Sequence, residues 1–388
     1  KPLIMVSITL PLALAQTIIW ASIFYLFPAL LPIWESETDW SKAQLTGAFT
    51  IALISAAIVS PMAGRLIDAG WGRSLMLGGT LCATVCLVAL SQVAMLWQFY
   101  GVWFGLGLCM AACLYEPCFA NLVRHLKGNA KPTITRITLM AGLAGTVAFP
   151  TAHGLATLFN WRETVLFFAA GTALITLPLT ACALTCLQRQ YRVNAPPKTR
   201  EKIKVELNRK FALLAAAFMI VAIVHGMIIT HLLPMLAERG VVPALAILTA
   251  SLVGPMQVVG RLLMIATEGR TTTFTTAFAC YFGMATGTAM LLLAGANQVM
   301  ILSFVMLHGA AYGVTSIFRP ILTREVLGET NFGLISGRIG GLFMLGTAIA
   351  PFGGAMIWQF AGYPTMLALG VGLLLSGAFM LRAAIRLP

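Results

Sequence analysis

The chain has 388 residues, 59% of them hydrophobic and only 10% charged, with a formal net charge of +13 and a mean hydropathy of +0.90. A soluble domain carries roughly 25% charged residues, so this composition excludes a water-covered globule of the same length. The apolar runs are continuous and about twenty residues long, without the ten-residue alternation of a membrane barrel. Helices, which satisfy their own backbone hydrogen bonds in lipid, are therefore the spanning element.

In chain order the predicted helices cover 7–33, 43–66, 74–95, 97–123, 134–159, 164–187, 211–236, 244–267, 272–295, 298–322, 332–358 and 364–384. The expected fold is an all-α membrane protein of twelve transmembrane helices in two pseudo-symmetric six-helix bundles, residues 1–187 and 211–388. The polar stretch 188–210, with Pro196 and Pro197 in its middle, reads as a linker between them. The other connections are too short to hold a folded soluble domain, and no cleavable leader is expected ahead of the first span.

The excess of positive charge suggests nucleic acid until its placement is considered. Under this topology, of the Lys and Arg outside the spans only Lys42, Arg162 and Arg239 lie on the side opposite the termini. The linker alone holds Arg189, Arg192, Lys198, Arg200, Lys202, Lys204, Arg209 and Lys210, whereas Glu35, Glu37 and Asp39 follow the first span. This asymmetry is the positive-inside pattern. It places both termini and the linker in the cytoplasm and the protein in a bacterial-type inner membrane, with no nucleic-acid partner. All eight cysteines fall within predicted spans, where they read as small apolar packers rather than ligands of a metal.

The halves repeat. Tyr115-Glu116-Pro117 corresponds to Phe318-Arg319-Pro320, Pro150 to Pro351, and Gly64-Arg65-Leu66 to Gly260-Arg261-Leu262, the first two at near-constant separation. Parallel six-helix repeats are a transporter architecture, with substrate bound near the midplane between halves.

Between the second and third spans runs Gly64-Arg65-Leu66-Ile67-Asp68-Ala69-Gly70-Trp71-Gly72-Arg73. It resembles the cytoplasmic loop signature of the major facilitator superfamily, and Trp161-Arg162 opening the sixth span is a second element of the likeness. Phe332 to Gly337, with Gly362-Tyr363, is similar to the organic-anion branches, such as oxalate–formate and monocarboxylate carriers. The resemblance implies that Gly64, Arg65, Asp68, Gly72 and Arg73 form a latch steadying the outward-facing state against the eleventh span, where Arg338 is the nearest cation. Asp68 can equally sit at a helix N-terminus. Gly101 stands where proton antiporters of the superfamily carry Arg, a departure that favours uptake over drug export.

Ionisable residues inside spans cost about 2.5–3.5 kcal/mol at a helix centre and are functional candidates by default. Here they are Glu116, His153, His225, His231, Arg261, His308 and Arg319, and the interiors of the third, sixth, ninth and twelfth spans carry none. In the superfamily those four form the outer scaffold. Glu116 and Arg319, at equal depth and each before a proline, are expected either to form a gate or to bind a substrate carboxylate beside a coupling proton. A permanent structural salt bridge is the bland alternative. Glu116, His225 and His308 are the proton-coupling candidates. Gln16, Trp20, Tyr25, Tyr115, Gln257 and Tyr312 are candidates for cavity hydrogen bonds, against simple packing polarity.

The leading expectation is a proton-coupled importer of a small organic anion working by alternating access. It would act as a monomer among membrane lipids, without a cofactor. An exporter of drugs or metabolites and an importer of a metal chelate or siderophore are the same-class alternatives. No H-E-x-x-H, G-x-S-x-G or Walker-type pattern occurs, so an enzyme is not expected. A receptor would need a soluble output domain, for which no segment has room. Reporter fusions within 188–210 should read cytoplasmic, and a periplasmic signal at Pro196-Pro197 would overturn the topology.

Overall fold

The computed structural model describes residues 5–126, 130–190, 208–267 and 269–387. Among these the regular structure is helical, in ten stretches long and apolar enough to cross a membrane. Two of the ten are double length. Lys42–Ser91 and Phe332–Arg386 contain 50 and 55 residues, about 75 and 80 Å if straight, against a hydrocarbon core of about 30 Å. Each is divided by a glycine with left-handed backbone, Gly70 at φ 94° and Gly362 at φ 76°. A side chain there would meet the following carbonyl, so glycine is the residue that lets the chain turn.

We number the segments α1 (Ser7–Glu37), α2 (Lys42–Leu66), α3 (Gly72–Ser91), α4 (Leu96–Leu126), α5 (Ala130–Leu158), α6 (Trp161–Gln190), α7 (Arg209–Glu238), α8 (Pro243–Ala266), α9 (Thr273–Leu293), α10 (Gln298–Leu327), α11 (332–361) and α12 (363–386). Short polar residues start several of them. Ser41 and Gln44 form a capping box on α2, Asn160 caps α6, Asn208 caps α7 and Asn297 caps α10, each satisfying amides that the first turn leaves open.

The chain divides into two compact units. The first comprises Lys1–Val205 with Glu329–Gly341, and the second Glu206–Gly328 with Leu342–Pro388. The expected second bundle, 211–388, held all of α11, whose first turns cluster instead with the first unit, and most of the expected linker, 191–207, lies outside the described residues. In that unit α2 packs on α4, α3 on α4 and α6, and α1 on α5 and α6; in the second, α10 packs on α7, α8 and α9. Large apolar side chains face outward, Phe360 at 79% and Leu174 at 75% exposure. Water would penalise such a surface, and a bilayer does not.

The three basic residues on the sparsely charged side each hold a local contact. Lys42 lies 3.9 Å from Glu35. Arg162 Nη1 donates to Ser91 O and Val93 O, both at 2.8 Å, closing the C-terminal end of α3. Arg239 Nη1 donates to Leu291 O at 2.6 Å at the end of α9. A cation at a helix C-terminus satisfies orphan carbonyls and complements the dipole.

Within the first unit, α2 meets the start of α11 along a seam without side chains. A Cβ built at Gly333, Gly337 or Gly341 would overlap the carbonyl oxygens of Gly64, Ser60 and Ala57 respectively, and one at Gly64 would overlap Gly333 O. The four-residue spacing on α11 keeps one bare stripe toward α2, the close-approach device of membrane helices. Asp68 closes the end of this seam. Its Oδ1 accepts the Gly333 N–H and its Oδ2 the Leu334 N–H, both at 2.8 Å. The carboxylate thus caps the N-terminus of α11, where the helix dipole and open amides favour a negative charge. The partner is main chain rather than Arg338, whose Nη1 is buried without a hydrogen bond. Arg124, from the end of α4, donates to the Asp68 carbonyl, and Gly72 leaves room for the Asn121 side chain.

Because backbone atoms oppose each seam glycine, a methyl group there must push the helices apart. Gly337→Ala should therefore destabilise by about 1–3 kcal/mol. Gly78→Ala, with nothing within 4 Å of its Cβ, should be neutral or gain up to about 1 kcal/mol in helix propensity. Thermal unfolding of the two variants in detergent checks the contrast, and equal behaviour would remove the seam.

Candidate substrate and proton site

The candidate residues fall into two groups, one in each unit. In the first unit the chain itself creates a polar feature at mid-helix. Pro117 has no N–H to offer Cys113 O four residues earlier, and Leu114 is extended, so α4 is interrupted and restarts at Tyr115. Gln16 of α1 fills the gap, its Nε2 donating to Cys113 O at 2.9 Å. One turn along α1, Trp20 packs on Tyr115 at 4.7 Å between ring centroids, and Tyr115 stacks on Phe119 at 5.0 Å and 14°. Gln16, Trp20 and Tyr115 are thus brought together, and Tyr25, its ring centroid 6.3 Å from that of Trp20, also packs against Gly145 of α5. Tyr25 closes a π-wound turn, Ala21–Tyr25.

Glu116 sits in the first turn of the restarted helix, where the dipole favours a carboxylate. It is buried, and a Cβ at Gly340 would collide with its side chain. With Ser60, Gly64, Ala111, Gly333 and Gly337 it lines a narrow crevice beside the α2–α11 seam. Arg319, in the second unit, is also buried, its guanidinium 4.2 Å over the ring of Phe343. Arg261 has its Nε on Gly313 O at 2.9 Å and ties α8 to α10. Gln257 contributes its backbone to the same α8–α10 contact, opposite Gly313.

The second unit assembles His225 (α7), His308 (α10) and Thr288 (α9) into one hydrogen-bonded chain. His225 Nδ1 lies 3.2 Å from His308 Nε2, and His308 Nδ1 lies 3.2 Å from Thr288 Oγ1. The polarity of this chain follows from its far end. The Thr288 hydroxyl has Met284 O at 2.8 Å as its nearer acceptor, and with its single proton given there it accepts from His308. His308 Nδ1 therefore carries hydrogen, its Nε2 in the neutral ring accepts, and His225 Nδ1 donates to it. That leaves Nε2 of neutral His225 as the open base. A proton added there leaves both existing hydrogen bonds intact. The ring of Tyr312 stacks on His225 at 3.3 Å and 6°, and an aromatic face stabilises a cation against it. His308 lies in a π-wound turn, Val305–Gly309, a local widening common at functional positions.

The remaining histidines stand apart. His231 Nε2 is 3.0 Å from Pro351 O, and His153 is exposed on α5. In the loop, Arg65 is exposed and Arg73 half-buried. Cys82, Cys86 and Cys109 bring their sulfurs within 4.8 Å of one another, with Gly105 making room for Cys86. Sequence spacing showed only the i, i+4 pair on α3, not the approach of α4.

The Major Facilitator Superfamily profile matches residues 12–318. The chain belongs to this superfamily of transporters. No curated protein matches it by sequence. Among solved structures, this major facilitator is similar to FucP in the outward conformation, with 12% identity, a TM-score of 0.76 and coverage of 97% of this chain and 98% of that one. A variant of the E. coli fucose:proton symporter FucP aligns with 13% identity and a TM-score of 0.72, covering 97% and 98%. The human organic anion transporter MFSD10 (TETRAN) aligns with 14% identity and a TM-score of 0.71, covering 96% and 98%. At these identities the likeness is one of fold.

Four residues that matter to this transporter escaped the sequence reading in these roles. Thr288 is one threonine among many in an apolar span, and nothing local marks it. Arg124 is a basic residue in the last turn of α4, a signal that was legible but pointed equally to topology. The amides of Gly333 and Leu334 belong to the main chain, and only the helix start at Phe332 hinted at them. Thr288→Val should remove the acceptor at His308 Nδ1 and strand a buried donor, costing about 1–3 kcal/mol. Nitrogen NMR of labelled His308 should report hydrogen on Nδ1 in the parent and its loss from Nδ1 in the variant. Hydrogen on Nε2 of the parent would reverse the chain's direction.

Proposed function

We propose that the protein is a proton-coupled importer of a small organic anion in a bacterial-type inner membrane, working by alternating access of its two halves. The carrying observation is the directed Thr288–His308–His225 chain, which presents one open basic nitrogen beside an aromatic face. Such a group takes up and releases a proton without rearranging its supports. The buried guanidinium of Arg319 supports an anionic substrate, since it offers charge-assisted hydrogen bonds to a carboxylate. Twelve spans, with both termini and 188–210 cytoplasmic, complete the reading; the two double-length stretches divided at Gly70 and Gly362 support that count. The structural neighbours include a fucose:proton symporter and an organic anion transporter, and each is consistent with half of the proposal. Asp68 is the latch, holding the first turn of α11 until the cycle releases it.

Flux into proteoliposomes tests coupling and latch together. With an organic-acid substrate found by thermal-shift screening, an acid-outside pH gradient should drive accumulation by the parent. His225→Gln or His308→Gln should lose this accumulation at least about tenfold yet keep counterflow exchange, which need not cycle the proton; Glu116→Gln is the comparison. Asp68→Asn should slow both modes, because each requires the conformational cycle. Accumulation equal to the parent in all three single neutral variants removes the coupling, and normal flux in Asp68→Asn removes the latch.

A further inference from the structure

One groove in the second unit plays no part in this transport reading. It lies at the beginning of α9 and the end of α12, has a volume of about 360 Å3, and is lined by Phe274, Phe278, Arg382, Ile385 and Arg386. Arg382 and Arg386 stand one turn apart on α12, so both guanidiniums lie on the same face. Both are exposed. Neither has a hydrogen-bond or ion-pair partner among the described residues. The acid at this end of α9, Glu325, is already engaged, accepting from Thr273 Oγ1 at 2.8 Å. Phe274, Phe278 and Phe282 form a ladder along α9, with ring centroids 5.7 and 4.7 Å apart. The groove therefore carries two free cations one helical turn apart and an aromatic wall running from them toward the middle of α9.

We infer that this groove binds an anionic phospholipid, its phosphate between Arg382 and Arg386 and an acyl chain along Phe274 and Phe278. Each requirement of such a lipid meets a matching feature. The phosphate needs paired cations that no protein group neutralises, and guanidinium is the side chain best shaped for phosphate oxygens. The chain needs an apolar wall beginning at headgroup level, and aromatic rings are enriched there. A free soluble anion would use the arginines and leave the phenylalanines without a role. Basic pockets between helices at the cytoplasmic face are a known class of acidic-lipid site. Two basic residues near an anionic headgroup correspond to roughly 30-fold preference over a zwitterionic lipid, about 2 kcal/mol.

Native mass spectrometry of the purified full chain, titrated with dioleoyl phosphatidylglycerol or dioleoyl phosphatidylcholine, tests the inference. The parent should bind phosphatidylglycerol at least tenfold more tightly. Arg382→Gln/Arg386→Gln should abolish that preference, whereas Arg209→Gln/Lys210→Gln, an equal loss of charge elsewhere, should keep it. Phe278→Ser should weaken phosphatidylglycerol binding while leaving both cations in place. No preference in the parent overturns the site. Equal loss in both charge variants replaces it by a general surface effect. Displacement of the lipid by millimolar inorganic phosphate, with Phe278→Ser unchanged, makes it a phosphate site and overturns the lipid reading.

Discussion

The contact between α2 and the first turns of α11 is the constraint on which the loop after α2 depends. Gly64 on one helix and Gly333, Gly337 and Gly341 on the other let the two backbones approach until no methyl group fits between them. At that separation the loop after α2 arrives at the open amides of α11, and Asp68 takes two of them. The carboxylate would find no such partners if the seam were wider by a side chain. Small residues and a charged loop thus act as one device: packing sets the distance, and the helix terminus supplies the charge complement.

The bilayer as solvent explains where the remaining polar groups lie. Lipid offers no hydrogen bonds, so a backbone carbonyl orphaned by a proline must be satisfied from within the protein. Gln16 does this for Cys113 O, released by Pro117. At the helix ends Arg162 and Arg239 do it for α3 and α9. These two arginines are among the three that the expected topology puts opposite the termini, and their bonds cap helix ends.

The histidine chain differs in kind, because it has a direction. Thr288 donates into its own helix and so leaves only an accepting lone pair for His308. That single bond propagates through two imidazoles and decides which nitrogen is open for a proton. Placed at the meeting of α7, α9 and α10, the chain ties three helices of the second unit together. In the proposed transport cycle, protonation of His225 would be felt on all three.

Composition and periodicity sufficed for the membrane class, the helical fold and the approximate ends of the helices, because the cost of exposing polar groups to lipid is paid residue by residue along the chain. The loop motif likewise singled out Asp68, and the proline after Glu116 marked that residue. A helix N-terminus was one of the two sites the sequence offered Asp68, but which amides it takes was not legible. A main-chain amide has no sequence identity, and Arg338, the nearest cation by letter, does not supply the contact. Nor could spacing show that Cys109 joins Cys82 and Cys86, or that Thr288 meets His308, since each depends on which faces of separate helices meet. Hydrophobic pattern selects an element and its buried side. The choice of neighbours across an interface belongs to the packing of small residues in three dimensions, and that is where this protein's polar chemistry was decided.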